Sequence, residues 1–343
     1  MGRPLGRVIL LLLCLIPACP PRAGAGVSPH FTGTFVQLLG QHEQWTASQW
    51  QALFTSLKTI GVDEIIIQWS VNDQVPFYPS THFKAAPHDV LPRVMEAAGG
   101  QGFHVLLGLV HDGAYWHKVA RDPKLVRVYF KRLLRDSLAT ARELMALVGT
   151  SPAFSGFYIP QEIDDRTWLP PEHAAVLDAF LAELRQGLKD IAPQAPVAIS
   201  GFSNAFADPG LLGQTWQRLL SRTGIDRVLF QDGIGVGKLG LGDADVFLAA
   251  VAEAASQTGR QFTPIVETFT QVDGPPINDK PFRAEPAPLD RIIRQLSLAD
   301  RAPHTGIMAF SLPEYCSPFG IPGAAALYDA YKNGLRPGSM RQP

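Results

Sequence analysis

Glutamate residues stand directly after apolar segments of this sequence, where a buried strand would reach the protein surface. Glu162 follows Phe157–Ile159 in the stretch FYIPQEIDD, Glu267 follows Thr263–Val266, and Glu314 comes after a third such segment. The chain has eleven glutamates, so chance would place about one at the strand ends of an average barrel. Carboxyl groups at such ends can act as general acids, general bases or nucleophiles. Glu162 and Glu267 are therefore the leading catalytic candidates.

Other hydrogen-bonding side chains and aromatic rings follow the remaining apolar segments. Lysine and arginine are almost absent there, and Lys118 and Lys238 lie somewhat beyond these positions. Aromatic faces beside polar groups suit a sugar, whose C–H face stacks while its hydroxyls find partners. We therefore expect a neutral, hydroxyl-rich carbohydrate as the ligand. The candidate substrate-binding residues are Gln37, Gln68, Trp69, Asn72, His111, Asp112, Gln161, Trp168, Asn204, Gln231, Asp232, Phe269, Glu314 and Tyr315.

Other kinds of chemistry have weaker support. His111, Asp112 and His117 are metal-ligand types, but the other histidines show no ligand spacing, so we expect neither a metal nor another cofactor. SGFSNAF lacks the G-x-S-x-G frame of a serine nucleophile. GVGKLGLG (235–242) lacks phosphate-loop spacing and is interpreted as a flexible loop. A lyase or isomerase would need a central base, for which Tyr315 is the candidate.

The segments that position these residues alternate regularly from residue 33. Short apolar runs are followed by polar loops and then by apolar residues at helical spacing. No Gly-rich phosphate loop follows the first strand, as a doubly wound open sheet would favour. We therefore predict an α/β fold, a single (β/α)8 TIM barrel over residues 31–343, with its site at the carboxyl ends of the strands. The predicted strands are Thr34–Leu39, Glu64–Trp69, His104–Val110, Gly156–Ile159, Val197–Gly201, Arg227–Phe230, Thr263–Val266 and Gly306–Phe310.

The N-terminal segment has the pattern of a secretory signal. Arg3 and Arg7 precede an apolar run that is too short to cross a bilayer as a helix. Ile16-Pro17-Ala18-Cys19 then resembles a lipobox, in which the cysteine carries the lipid. We therefore predict a lipoprotein signal peptide over residues 1–18 and a periplasmic or cell-surface location.

A lipid on Cys19 would be the protein's contact with the membrane, and residues 19–30 would form a short tether. Ala23 to Ala25 offer an ordinary cleavage site as the alternative, which would leave a soluble periplasmic or secreted protein. Cys316 is the one cysteine of the folded region, so no disulfide framework is expected. The formal charge of −1 and the absence of basic runs argue against nucleic acid as a partner. No protein partner is implied.

Several motifs resemble the bacterial domain-of-unknown-function 4434 family, which is grouped with the clan-A glycoside hydrolase barrels. They are GTFVQLL, GFYIPQEID, VETF and FSLPEY, and the similarity runs from about Gly33 to Leu335. In that clan the glutamate ending strand four is the acid/base and the glutamate ending strand seven is the nucleophile. The resemblance implies that Glu162 and Glu267 hold these two places in a retaining glycosidase.

Two positions depart from the clan pattern. Gln161 stands where the clan usually has an asparagine that holds the 2-hydroxyl of the substrate, and Pro313-Glu314-Tyr315 stands where strand eight often supplies a tryptophan. We predict a glycoside hydrolase that acts on a bacterial polysaccharide or oligosaccharide. The alternative is a non-catalytic envelope lipoprotein that binds polysaccharide, which need not pair its carboxylates across the barrel mouth.

Overall fold

The apolar segments of the sequence form eight parallel strands that close into a barrel. The computed structural model describes residues 29–274, 276 and 280–335. Along the barrel wall each strand pairs with its neighbours in sequence, and the last strand pairs with the first. The predicted (β/α)8 barrel is therefore confirmed. The barrel strands are β1 (Gly33–Val36), β2 (Glu64–Ile67), β5 (His104–Gly108), β7 (Phe154–Asp164), β8 (Val197–Phe202), β9 (Arg227–Gln231), β10 (Gln261–Glu267) and β13 (Met308–Phe310).

Helices follow the strands and cover the outside of the barrel. Thr46 caps the start of the first helix, because its side chain accepts a hydrogen bond from the backbone N–H of Gln49. Gly224 ends the helix Pro209–Thr223 and adopts the left-handed conformation, with φ of 70°. The helices are α1 (Ala47–Thr59), α2 (Leu91–Gly100), α3 (Tyr115–Val119), α4 (Pro123–Val148), α5 (Pro171–Ile191), α6 (Pro209–Thr223), α7 (Ala244–Gln257), α8 (Leu289–Ala299), α9 (Leu312–Tyr315) and α10 (Ala324–Gly334), with a 3-10 turn at Gly40–Gln44.

Short strands extend the wall beyond the carboxyl ends of the barrel strands. Three of them form one small sheet beside the third barrel strand, and two form a hairpin after the seventh. These additions raise the wall on two sides of the barrel mouth. They are β3 (Val71–Asn72), β4 (Val75–Pro76) and β6 (Val110–His111) in the first sheet, and β11 (Phe269–Gln271) and β12 (Ala284–Pro286) in the hairpin.

The barrel interior is filled by one side chain from each barrel strand. Side chains alternate along a strand, so the residue two positions further on points inward again. In five of the strands this next inward position holds a polar or aromatic side chain that lines the cavity at the barrel mouth. The filling residues are Phe35, Ile66, Leu106, Tyr158, Ala198, Leu229, Ile265 and Met308. The five residues above them are Gln37, Gln68, Gln231, Glu267 and Phe310.

The fourth barrel strand is longer than the sequence predicted. The predicted strand ended at Ile159, whereas β7 continues through Asp164, which pairs with Phe202 of β8. The eighth strand ends at Phe310, and Glu314 and Tyr315 belong to the short helix α9 that follows. The predicted signal segment and Cys19 lie outside the described residues and stay predictions.

Candidate active site

A bulge in β7 aims Glu162 toward the barrel axis. Between Ile159 and Ile163 four steps on β7 match two steps on β8, so the ladder is interrupted at Pro160 and Gln161. Gln161 is 1% exposed and donates from Nε2 to the carbonyl oxygen of Val110 at 2.8 Å. This bond ties the bulge to the neighbouring segment β6. Gln161 therefore positions Glu162.

Glu162 lies against β9, the sixth strand of the barrel, and is partly buried. Its Oε1 accepts a hydrogen bond from Nε2 of Gln231 at 2.5 Å. Burial raises the pKa of the Glu162 carboxyl above its ordinary value, and the charge of Lys238 opposes that rise more than any other contact. A carboxyl group in this setting keeps its proton more readily than one in water.

Glu267 ends β10 on the opposite side of the mouth and is 2% exposed. Its Oε2 accepts a hydrogen bond from the backbone N–H of Val236 at 2.8 Å. Gly235 makes this approach possible, because a Cβ there would lie 2.7 Å from Cβ of Glu267 and 2.5 Å from the carbonyl oxygen of Phe269. The glycine-rich loop after β9 is therefore packed directly against the candidate nucleophile.

Burial, and next the charge of Asp232, raise the pKa of Glu267 to about 8. Asp232 is itself buried, and its pKa is raised to about 6. Its Oδ2 accepts a hydrogen bond from Gln295 at 2.6 Å, and the backbone N–H of Glu267 donates to its Oδ1 at 3.4 Å. Asp232 thus supports the end of β10 from behind and disfavours a negative charge on Glu267.

Glu162 and Glu267 line one cavity of about 320 Å³ at the barrel mouth. We call it the mouth cavity. Its polar floor is made by the inward residues of the strands, and aromatic rings form much of its rim. The lining residues are Gln37, Gln68, Trp116, Glu162, Phe202, Gln231, Val236, Lys238, Glu267, Phe269, Phe282, Phe310 and Tyr315.

Nine of the fourteen predicted substrate-binding residues do not line the mouth cavity, and most of these are held elsewhere by packing or hydrogen bonds. Trp168 is 0% exposed and stacks on Phe130. The side-chain amide of Asn204 donates to Asp164 at 3.1 Å. Those that line the mouth cavity are Gln37, Gln68, Gln231, Phe269 and Tyr315. Those that do not are Trp69, Asn72, His111, Asp112, Gln161, Trp168, Asn204, Asp232 and Glu314.

His111 and Asp112 line a different cavity of about 510 Å³, between α4 and the sheet that contains β6. Nδ1 of His111 lies 2.7 Å from Oδ1 of Asn72, and Trp69 stacks on the His111 ring. Asp112 is paired with Lys118 at 2.5 Å. β6 runs away from the barrel axis, so the side chains of His111 and Asp112 lie outside the mouth cavity.

Glu314 belongs to α9, and its Oε2 is buried without a hydrogen-bond partner. Burial raises the pKa of its carboxyl to about 8. Tyr315, the next residue, reaches the mouth cavity and packs against Phe269, with ring centroids 5.2 Å apart. The eighth strand itself presents Phe310 to the cavity.

Six residues that line the mouth cavity were not among the predicted site residues: Trp116, Phe202, Val236, Lys238, Phe282 and Phe310. Phe310 could have been predicted from the alternation of side chains along a strand, since Met308 fills the barrel interior two positions earlier. Lys238 was placed beyond the rim, whereas it lines the cavity from the loop after β9. The segment 235–242, interpreted as a flexible loop, is one wall of the cavity. The close approach to Glu267 explains the glycine at position 235.

Within the described ranges, no three His, Cys, Asp or Glu side chains are grouped so that they could hold a metal ion. Among the helices described, none has the length and apolar character needed to cross a membrane. Cys316 is a free, buried thiol.

The family model of a domain of unknown function, DUF4434, matches residues 31–324. The chain belongs to the DUF4434 family. A related sequence is the uncharacterised protein YbcH of Escherichia coli K12, which is 27% identical over 282 residues, or 82% of this chain and 88% of that protein. The resemblance read from the four motifs is confirmed.

Solved structures similar to this DUF4434 barrel include glycoside hydrolases. A candidate α-L-fucosidase from Bacteroides thetaiotaomicron superposes with a TM-score of 0.74 at 21% identity, covering 90% of this chain and 96% of that one. The endo-β-1,4-mannanase from Thermotoga petrophila has a TM-score of 0.57 at 14% identity, covering 93% and 79%. At these identities the likeness shows the fold, a glycoside-hydrolase-like barrel.

Proposed function

We propose that this DUF4434 protein is a retaining glycoside hydrolase whose reaction takes place in the mouth cavity. One observation carries the proposal: Glu162 of the fourth barrel strand and Glu267 of the seventh line the same cavity, beside aromatic rings. Glycoside cleavage needs a proton for the leaving oxygen and a carboxylate for the anomeric carbon. A pair of carboxyl groups at one cavity supplies both.

Glu162 would protonate the leaving oxygen. Burial raises the pKa of its carboxyl, which favours the protonated form that a general acid needs. Gln231 holds Oε1 at 2.5 Å, so the other oxygen is left to face the substrate. After the first step the same carboxylate would take a proton from water.

Glu267 would attack the anomeric carbon. It must be ionised to do so, and the hydrogen bond from Val236 stabilises that form. In the ligand-free cavity burial and Asp232 raise the pKa of Glu267 to about 8, so the nucleophilic form gains population as the pH rises toward 8. We therefore expect a bell-shaped dependence of kcat/KM on pH, because turnover needs Glu267 ionised and Glu162 protonated.

The experiment is a screen of the purified protein against aryl glycosides and bacterial exopolysaccharides, followed by three variants. Glu267→Ala should abolish turnover. Glu162→Ala should slow natural substrates by a factor of about 10² or more, yet spare aryl glycosides with good leaving groups, which need little protonation. Glu253→Ala, which removes a glutamate from an exposed position of α7, is the control and should leave turnover unchanged.

The stereochemical outcome separates this proposal from an inverting enzyme. A retaining pair of carboxyl groups stands about 5–5.5 Å apart and passes through a covalent glycosyl-enzyme. NMR of the first-formed sugar should show the anomeric configuration of the substrate. Full activity of the Glu267→Ala protein would refute the assignment. If the protein binds polysaccharide but cleaves no substrate, the non-catalytic envelope protein becomes the better description.

The place of action is also part of the proposal. The predicted lipobox at Ile16-Pro17-Ala18-Cys19 favours export and a lipid anchor on Cys19. An anchored hydrolase would meet polysaccharide at the cell envelope, which suits an aromatic-rimmed cavity better than a cytoplasmic metabolite. Mass spectrometry of the mature N-terminus should find an acylated Cys19, and an unmodified chain beginning at Gly26 would refute the anchor.

A further inference from the structure

Lys238 is a cation of the mouth cavity for which the proposed reaction has no use. It is the one lysine or arginine among the described lining residues, and its side chain is partly buried. Its Nζ lies 3.3 Å from the centroid of the Phe202 ring, a cation–π contact that fixes the ammonium over the rim. The group is therefore held in place before any ligand arrives.

No described side chain satisfies the Lys238 ammonium through a hydrogen bond or an ion pair. Lys118, which lines the neighbouring cavity of about 510 Å³, is by contrast paired with Asp112 at 2.5 Å. An ammonium has three donors and no acceptor, so Lys238 offers hydrogen bonds to whatever enters the cavity. A ligand that displaced its water without supplying an acceptor would leave a costly unpaired charge.

The neighbouring polar groups of the cavity are already committed to one another. Gln37 donates to Gln68 at 2.6 Å, and Gln231 donates to Glu162 at 2.5 Å. Burial keeps a proton on Glu267 up to about pH 8, its pKa in the free protein, so the cavity is not strongly negative at neutral pH. The carboxyl groups whose charges act on Lys238 are those of Glu162, Glu267, Asp164 and Asp165, and the proton that Glu267 keeps lowers the repulsion that an anionic group meets there.

In a chain that acts on carbohydrate as proposed above, we propose that Lys238 selects the substrate by binding an anionic oxygen group on the sugar. The chemistry is that of a uronic acid carboxylate or a sulfate ester. The charged oxygens would accept hydrogen bonds from Nζ, while the sugar ring lies against the aromatic rim that includes Trp116 and Phe202. This differs from the neutral ligand that the sequence predicted when Lys238 was placed outside the rim.

Binding of monosaccharides tests the proposal without any cleavage. The probes are glucuronate, galacturonate and mannuronate, each compared with its neutral hexose, together with a hexose 6-sulfate. Each uronate differs from its hexose at one carbon, so the comparison isolates the charge. At least one anionic sugar should bind about tenfold more tightly than its neutral partner at neutral pH, since a hydrogen bond to a charged group is stronger than one between neutral groups. Ligand-observed NMR titration measures the weak constants.

Three variants assign the preference to Lys238. Lys238→Met keeps an apolar stem on the Phe202 ring and should remove the anionic preference, with binding of the neutral hexose retained as evidence of folding. Lys238→Arg should keep it. Lys84→Met removes the same charge from an exposed position outside the cavity lining and should change nothing.

Comparing the affinity of the uronates with that of the hexose 6-sulfate shows whether the anionic group is a carboxylate or a sulfate ester. Equal affinity for charged and neutral sugars, or a preference that survives Lys238→Met, would overturn the proposal. So would the absence of binding by every anionic sugar at about 10 mM. Because no glycosidic bond is broken, these results are independent of whether Glu162 and Glu267 catalyse hydrolysis.

Discussion

Replacing Glu267 by glutamine should change how the stability of the protein depends on pH. Burial and Asp232 raise the pKa of Glu267 from 4.5 to about 8, so the folded protein binds this proton more tightly than the unfolded chain does. The stability that this proton gives the folded state is fully present below about pH 4.5 and is lost as the pH rises toward 8. Glutamine cannot ionise, and the variant should escape this loss.

The size of the effect follows from the two pKa values. The interval between 4.5 and about 8 corresponds to about 5 kcal/mol, at about 1.4 kcal/mol for each pKa unit. This is an upper bound, because a carboxylate that ionises can draw water or shift toward the Lys238 ammonium. We expect the parent to lose about 2–5 kcal/mol relative to the variant between about pH 5 and about pH 8.5.

Urea unfolding of the parent and of Glu267→Gln at these two pH values measures the difference. A constant offset from altered hydrogen bonding cancels, since only the pH-dependent part matters. Glu253→Gln makes the same chemical change on the exposed face of α7 and is the control. If the parent and Glu267→Gln lose stability in parallel, Glu267 does not carry a buried proton, and the electrostatic description of the cavity is wrong.

Other predictions concern the loop, the rim and the N-terminus. Gly235→Ala should destabilise the fold by about 1–3 kcal/mol and lower activity, because its Cβ would collide with the strand-seven glutamate, whereas Gly242→Ala on the same loop meets no atom within 4 Å and should be silent in urea unfolding. Trp116→Ala should weaken sugar binding about tenfold in NMR titration, while Phe206→Ala, an exposed ring outside the cavity lining, should not. Cys19→Ser should move the protein from the membrane to the soluble fraction on cell fractionation, and a parent already soluble would contradict the anchor.

The barrel could be predicted from the sequence because each strand is a short apolar run separated from the next by helical periodicity. The positions of Glu162 and Glu267 could be predicted for the same reason, since each follows such a run. The bulge at Pro160 and Gln161 could not. The apolar run stops at Ile159, and what extends β7 to Asp164 is pairing with β8, a contact that local sequence does not report.

The polar residues after strands two and three show a second limit. Gln68 lies on the inward side of its strand and reaches the mouth cavity, but Asn72, His111 and Asp112 lie on segments that leave the barrel axis. Sequence order places all of them near a strand end. The direction in which these segments run is set by the small sheet of β3, β4 and β6. Its strands have only two residues each, which is too short for the alternation of a β-strand to be visible in the sequence.

Charge balance in the mouth cavity connects the proposed reaction with the proposed substrate. Lys238 is the largest influence that lowers the pKa of Glu162, whereas for Glu267 the hydrogen bond from the Val236 backbone contributes more than Lys238. An anionic group bound to Lys238 would cancel most of its field. The pKa of Glu162 would then rise more than that of Glu267, which keeps its backbone donor. An acidic sugar would therefore favour the proton on the strand-four glutamate, where the acid role requires it.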